Sequence, residues 1–359
     1  MSYKIKPGLF GIRNSNRDLT QKETWGKNQF NNLFPAALAC YMHYKGLDPA
    51  YLLLDKDLRV IHKTIPVADL FRIQPDSKSI FFAFERDFPP YQKLVVGSLP
   101  RVDLVIINKD NNQCLQRLEI KLTALPDNST CEGSEDKYSC EIVVRPDSVI
   151  YLALSIIEIF EGRTKELAAI VGPTCTKIAD WVDADEIRQS LSDMISMIDI
   201  LLVNNIDKQS PLLIQPVWKT DGKSAILHDN CLDAFVWSDF AFTRLFVDVA
   251  KEELARNMLR ISRHTRTVVW LVRMLYDFAN REKVDYATII DEISLSTKND
   301  KAFAVSGRVT HPYLSSNILK KPRIAKNDIK NIILGGGQDY LSPERRFDAI
   351  IKNTPGLFD

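Results

Sequence analysis

Two short apolar runs carry charged residues inside them, 100–107 (PRVDLVII) and 118–121 (LEIK). Asp103 sits in the first; Glu119 and Lys121, one residue apart, sit in the second. Side chains alternate faces along a strand, so Glu119 and Lys121 share one face while Ile120 points to the other. A carboxylate between Val102 and Leu104 is costly to desolvate without a counter-ion. Mg²⁺ supplies that charge: it binds through one or two carboxylates and keeps water and substrate phosphate in its other positions. Asp103 and Glu119 fit that demand, with the Ile120 carbonyl as a third oxygen. Lys121 would orient an attacking water or stabilise a pentavalent phosphorane, and the ion would polarise the phosphoryl group. This is the minimum equipment for cutting a phosphodiester.

Spacing by itself selects nothing. An acid, any residue and a lysine also occur at Asp76 and Lys78, Glu135 and Lys137, Asp221 and Lys223, and Asp328 and Lys330. Only Glu119 and Lys121 have both a strand-like apolar frame and an acidic strand just before them. On pattern alone, a surface salt-bridge cluster on a hairpin remains an open alternative.

The elements must bring the two runs together. Residues 108–113 (NKDNNQ) are a strong hairpin signal between them. Asn28 to Lys45 reads as a helix capped by Gly46, and Tyr51 to Leu54 as a buried strand. Val67 to Phe71 is ambiguous. Ile80 to Phe84 and Lys93 to Val96 read as strands, and Glu141 to Val144 as a third strand of the metal-site sheet. Asp147 would cap a helix running to about Phe160 and ended by Gly162. Leu167 to Val171 reads as a strand, Asp185 to Asn204 as an amphipathic helix, and Leu212 to Trp218 as a strand. The pattern is mostly helical from Leu232 to Arg281 and mixed beyond Asp300. The expected architecture is α/β: one mixed sheet flanked by helices, with a largely helical C-terminal elaboration. No linker is evident, so residues 1–359 are read as one domain. Its catalytic core would span about 50–220, and its elaboration, about 230–359, would contribute DNA contacts.

Several blocks resemble one family in order along the chain: 28–41 (NQFNNLFPAALACY), 118–127 (LEIKLTALPD), 140–147 (CEIVVRPD), 215–223 (QPVWKTDGK), 298–304 (KNDKAFA), 334–338 (LGGGQ) and 342–348 (SPERRFD). They are similar to type II restriction endonucleases of the HindVP kind, over nearly the whole chain. The resemblance implies a restriction-endonuclease-like fold of the PD-(D/E)XK superfamily. It implies Mg²⁺-dependent cleavage of double-stranded DNA that leaves 5′-phosphates, by a homodimer acting at a degenerate six-base GRCGYC-like palindrome. The superfamily motif then maps onto Asp103, Glu119 and Lys121. Its proline is displaced to Pro100, which is no ligand. Many relatives add an upstream acid, for which Glu85 is the first candidate and Glu23 the second. The alternatives are a repair or resolvase-type nuclease on the same fold, or a non-catalytic DNA-binding module.

Composition agrees with a globular enzyme. Apolar residues make up 45% and charged residues 26% of 359 positions. No apolar run approaches a membrane span, and the first residues lack a signal-peptide core. The expectation is cytoplasmic, with no membrane partner. The six cysteines show no zinc-ligand spacing. Gly335, Gly336 and Gly337 lack the Lys-Ser/Thr of a phosphate loop, so no nucleotide cofactor is expected.

Net charge is +1, but the basic residues cluster. Residues 251–273 hold Lys251, Arg256, Arg260, Arg263, Arg266 and Arg273 with His264, against Glu252 and Glu253; residues 298–330 hold eight Lys/Arg against Asp300 and Asp328. Arg263, His264 and Arg266 lie where a helix would enter a groove, and arginine can pair bidentately with guanine. A solvated helix face is the competing reading. Lys320, Lys321, Arg323 and Lys219 are the other expected DNA contacts, chiefly to phosphate. Asn299, Ser306, Arg308 and Gln338 are polar enough to read bases.

Overall fold

Four consecutive apolar residues, Leu104 to Ile107, are all buried in one strand. A strand that is apolar on both sides needs a cover on each face of its sheet. The computed structural model describes residues 27–121, 123–124, 141–220, 227–257, 260–297, 301–306, 323–328 and 332, and it supplies both covers.

The chain begins with α1 (Lys27–Tyr44), β1 (Ala50–Leu54), β2 (Val60–Thr64), α2 (Val67–Phe71) and β3 (Ile80–Arg86). It continues through β4 (Val102–Asn108), β5 (Gln113–Ile120), β6 (Thr123–Ala124) and β7 (Glu141–Val144). Three helices follow: α3 (Pro146–Ile159), α4 (Thr164–Cys175) and α5 (Ala184–Asn204). Then come β8 (Pro211–Thr220), β9 (Leu227–Ser238), α6 (Asp239–Ala255), α7 (Arg263–Arg281), α8 (Tyr286–Glu292) and β10 (Phe303–Ser306).

The main sheet has eight strands in the order β2-β1-β9-β8-β5-β4-β3, with β6 also on β8. Hairpin neighbours pair antiparallel, whereas β5 and β8 run parallel because the helices α3 to α5 cross between them. One face carries Val105 and Ile107 against α3, α6 and α7, including Leu152, Ile156, Phe240 and Trp270. The other carries Leu104, Ile106, Leu118 and Ile120 against α1 and α2. This is the expected mixed sheet between helices, with helices in the C-terminal part. No described helix is long and apolar enough to cross a membrane.

Four local readings change. Lys93 to Val96 is not a strand: Pro89 and Pro90 start a 3₁₀ helix to Leu94, because proline fits a first turn but lacks the N–H a ladder needs. Leu167 to Val171 belongs to α4. Its buried residues, Leu167, Val171, Thr174 and Cys175, keep helical spacing, and Pro173 is accommodated inside the helix. The segment from Leu232 begins as β9, since Ala234 to Ser238 are buried between two covered faces before α6 starts.

The fourth change bears on the site. Glu141 to Val144 is a strand, but it pairs with β10 in a separate two-stranded ribbon, Phe303 opposite Val144. Pro146 then starts α3 at its first turn, and Asp147 sits within that turn; Arg145 is the N-cap, and no side chain caps the helix.

Candidate active site

Sheet pairing converges the charged residues. Leu104 stands opposite Leu118, which brings Asp103 beside the end of β5. Asp103 Oδ2 accepts a hydrogen bond from the Ile120 amide at 2.7 Å. Beyond that amide β5 leaves β4, and the Lys121 amide donates to the Ile214 carbonyl on β8 at 3.0 Å. Alternation sends Ile120 into the α1 layer and leaves Glu119 on the α3 side. The Lys121 ammonium pairs with Glu119 Oε1, and both side chains are largely buried.

Burial first, then the negative charge of Glu119, pushes the Asp103 carboxyl up to about 7, against the opposing pull of Lys121. Burial alone would lower the Lys121 ammonium, but Glu119 and Asp103 outweigh it and hold its pKa above the ordinary value. Lys121 is therefore a cation here, able to donate and to stabilise negative charge rather than to abstract a proton.

Two neighbours were not singled out by sequence as site residues. Ser148, buried in the first turn of α3, donates its Oγ to Glu119 Oε1 at 3.0 Å. Asp147 beside it is raised by its own burial and then by the charge of Glu119. Their place depends on how α3 packs across the sheet, a contact between residues 29 apart. Asp147, read from sequence as the start of a helix, was the one local clue.

Glu85 lies on β3 between the pairs Phe84–Leu104 and Arg86–Val102, level with Asp103. Its φ of 46° is the left-handed region that a non-glycine residue seldom enters. Its charge is the least of the influences that raise Asp103. Glu23 lies outside the described residues.

The carboxylates fit a divalent ion. Two acids share a buried site with one ammonium, and like charges held this closely call for a further cation. Among the described residues, no hydrogen bond reaches Asp103 Oδ1 or Glu119 Oε2, which leaves one oxygen on each for an ion. No group of three or more His, Cys, Asp or Glu suited to a metal occurs among the described residues. Two carboxylate oxygens are a sparse set, of the kind a divalent cation that keeps most of its waters accepts.

The expected DNA contacts divide. Arg266 does not face a groove. It is 0% exposed, stacks on Trp270 with its guanidinium 4.3 Å from the ring centroid, and donates to the carbonyls of Thr297 (3.0 Å) and Lys301 (2.5 Å). The apolar layer around it, Val268 to Leu271, places position 266 on the inner side of α7. Arg323 grips the buried Asp233 through two hydrogen bonds, 3.0 and 3.2 Å, so its guanidinium ties the chain to β9. Arg263 is half-buried at the start of α7, and the His264 ring lies 5.6 Å from Phe303. Lys219 is on β8, its side chain outside the described set; Lys320, Lys321, Asn299, Arg308 and Gln338 also lie outside the described residues.

The mixed sheet, its flanking helices and the hairpin-borne acids define an α/β protein of restriction-endonuclease-like fold. The family model for the HindVP restriction endonuclease matches residues 25–358. Type II restriction enzyme HgiDI of Herpetosiphon aurantiacus is 49% identical over 358 residues, 99% of this chain and 98% of that protein. The probable type II restriction enzyme HindVP of Haemophilus influenzae is 42% identical over 354 residues, 99% of this chain and 96% of that protein. No solved structure matches the chain. The chain belongs to the HindVP restriction endonuclease family, and its activity is that of a site-specific deoxyribonuclease.

Proposed function

We propose that this enzyme cuts both strands of DNA at a short G/C-rich palindrome of the GRCGYC kind, using Mg²⁺ held by Asp103, Glu119 and the Ile120 carbonyl. The observation that carries this reading is the convergence of Asp103, Glu119 and Lys121 at the point where β5 parts from β4. When bound, the ion supplies charge that polarises the scissile phosphate and acidifies a water. Lys121, kept protonated by the two carboxylates, stabilises negative charge on the phosphoryl oxygens as water attacks phosphorus. The P–O3′ bond breaks, leaving a 3′-hydroxyl and a 5′-phosphate. Glu85 is proposed as the additional acid on the Asp103 side. Arg263, His264, Lys219, Lys320, Lys321 and Arg323 remain the proposed DNA contacts, and two chains are proposed to act together on the palindrome.

Digesting a genome and sequencing the fragment ends tests this directly. The expected result is one recurrent palindrome, a fixed cut position and 5′-phosphates, with no cleavage in EDTA. Lys121→Ala should slow cleavage by on the order of 10²–10³. Ends with no common sequence would point to the repair or resolvase-type reading, and an Asp103→Ala variant that cuts at the wild-type rate would refute the site.

A further inference from the structure

A buried serine on a helix usually returns its hydroxyl to the carbonyl four residues back. Ser148 is the third residue of α3, so the residue four back, Val144, lies outside the helix at the end of β7, where its carbonyl accepts the Ala302 amide at 2.8 Å. The Ser148 hydroxyl points across to the sheet instead and meets Glu119 Oε1 at 3.0 Å. Its backbone has little freedom. Ser148 N donates to the Arg145 carbonyl at 3.1 Å, and the next residues, Val149 and Ile150, are buried in the core. Lys121, two residues further along the chain, takes the same Glu119 oxygen. With Oε1 held by an ammonium and a hydroxyl, the carboxylate plane has little freedom to turn. Oε2, which no described residue bonds, is the oxygen left for an ion.

We infer that Ser148 is a positioning residue for the metal-binding carboxylate: with Lys121 it fixes the rotamer of Glu119 and presents Oε2 to the divalent cation. The inference rests on the proposed role of Glu119. Partners of this kind, which orient a ligand without touching the ion, are worth about 10–100-fold in metal affinity or activity.

The test measures binding without turnover. Mn²⁺ is titrated calorimetrically into the DNA-free enzyme as wild type, Ser148→Ala, Ser148→Thr and Asp103→Asn. Ser148→Ala should bind Mn²⁺ about 10-fold more weakly with a wild-type thermal midpoint. Ser148→Thr, which keeps the hydroxyl, should recover most of the affinity. In cleavage assays Ser148→Ala should need more Mg²⁺ for half-maximal rate and lose less at saturating Mg²⁺. If Ser148→Ala binds Mn²⁺ as wild type does while Asp103→Asn binds weakly, the inference about Ser148 is wrong and the site stands. If Asp103→Asn also binds as wild type, the metal site itself falls, and the inference with it.

Discussion

Asp103 bears the main electrostatic cost of the site. Its carboxyl, pushed from 3.8 to about 7 by burial and by Glu119, binds a proton in the folded chain at pH values where the unfolded chain has lost it. Stability therefore falls as pH rises from about 4 to about 7 on account of this group, and the full penalty is present above 7. Asp103→Asn keeps an oxygen for the Ile120 amide and removes the charge. At pH 8 without metal, this variant should melt a few degrees above wild type, and the difference should shrink towards pH 5. Added Mg²⁺ should then stabilise wild type and leave the variant nearly unmoved, because only an ion that binds the folded state raises the midpoint. Scanning calorimetry at both pH values checks this; a variant less stable than wild type at pH 8 would show that Asp103 is no strained charge. The same burial explains why the residue types were readable from sequence. An aspartate inside Val102 to Ile107, and a glutamate and lysine flanking Ile120, are expensive unless they meet. Ser148 was not readable, because a serine after a helix start is ordinary until the packing of α3 is known.

At the scale of elements, strands with apolar frames and long periodic helices were legible: β1, β3, β4, β5, β8, α1 and α5 stand where the pattern placed them. The errors fall on short apolar runs and on pairing. Leu167 to Val171 is too short for its period to separate strand from helix, and β7 is a strand whose partner, β10, lies more than 150 residues away. That ribbon matters for the site, since it ends at Val144, immediately before Arg145 and the turn that carries Ser148. Arg266 anchors its far side: with Thr267, which donates to the Ala302 carbonyl at 3.0 Å, it holds the approach to β10. Arg266→Ala would remove the charged donor from the Thr297 and Lys301 carbonyls, at a cost on the order of 3 kcal/mol. Urea unfolding should show that loss, and Arg266→Lys a smaller one. The salt dependence of DNA binding should not change in the folded Arg266→Lys protein, since a buried guanidinium releases no counterions from DNA. A shallower slope of log K against log salt would instead return Arg266 to the DNA interface.

The whole molecule is nearly neutral, at +1, so DNA affinity must come from where its cations lie rather than from their sum. With Arg266 buried, the basic C-terminal third loses one of its expected contacts; Arg323 pairs with Asp233 but stays exposed, and it shares the proposed phosphate binding with Lys320 and Lys321. Each lysine that contacts phosphate should reduce the salt slope by about 1 when changed to alanine, and should weaken specific and random duplexes alike. One chain carries one Asp103–Glu119–Lys121 set among its described residues, and in the proposed function one such set hydrolyses one strand. The proposed double-strand cut at a palindrome then predicts two chains related by the two-fold axis of the DNA. Light scattering of the enzyme on a short cognate duplex, with Ca²⁺ in place of Mg²⁺, should give the mass of two chains per duplex. Mixing wild type with excess Lys121→Ala subunits should convert linear product into nicked circles, as each mixed pair cuts a single strand. A complex of one chain per duplex, or linear product undiminished in the mixture, would show that one chain makes both cuts and would overturn the two-chain reading.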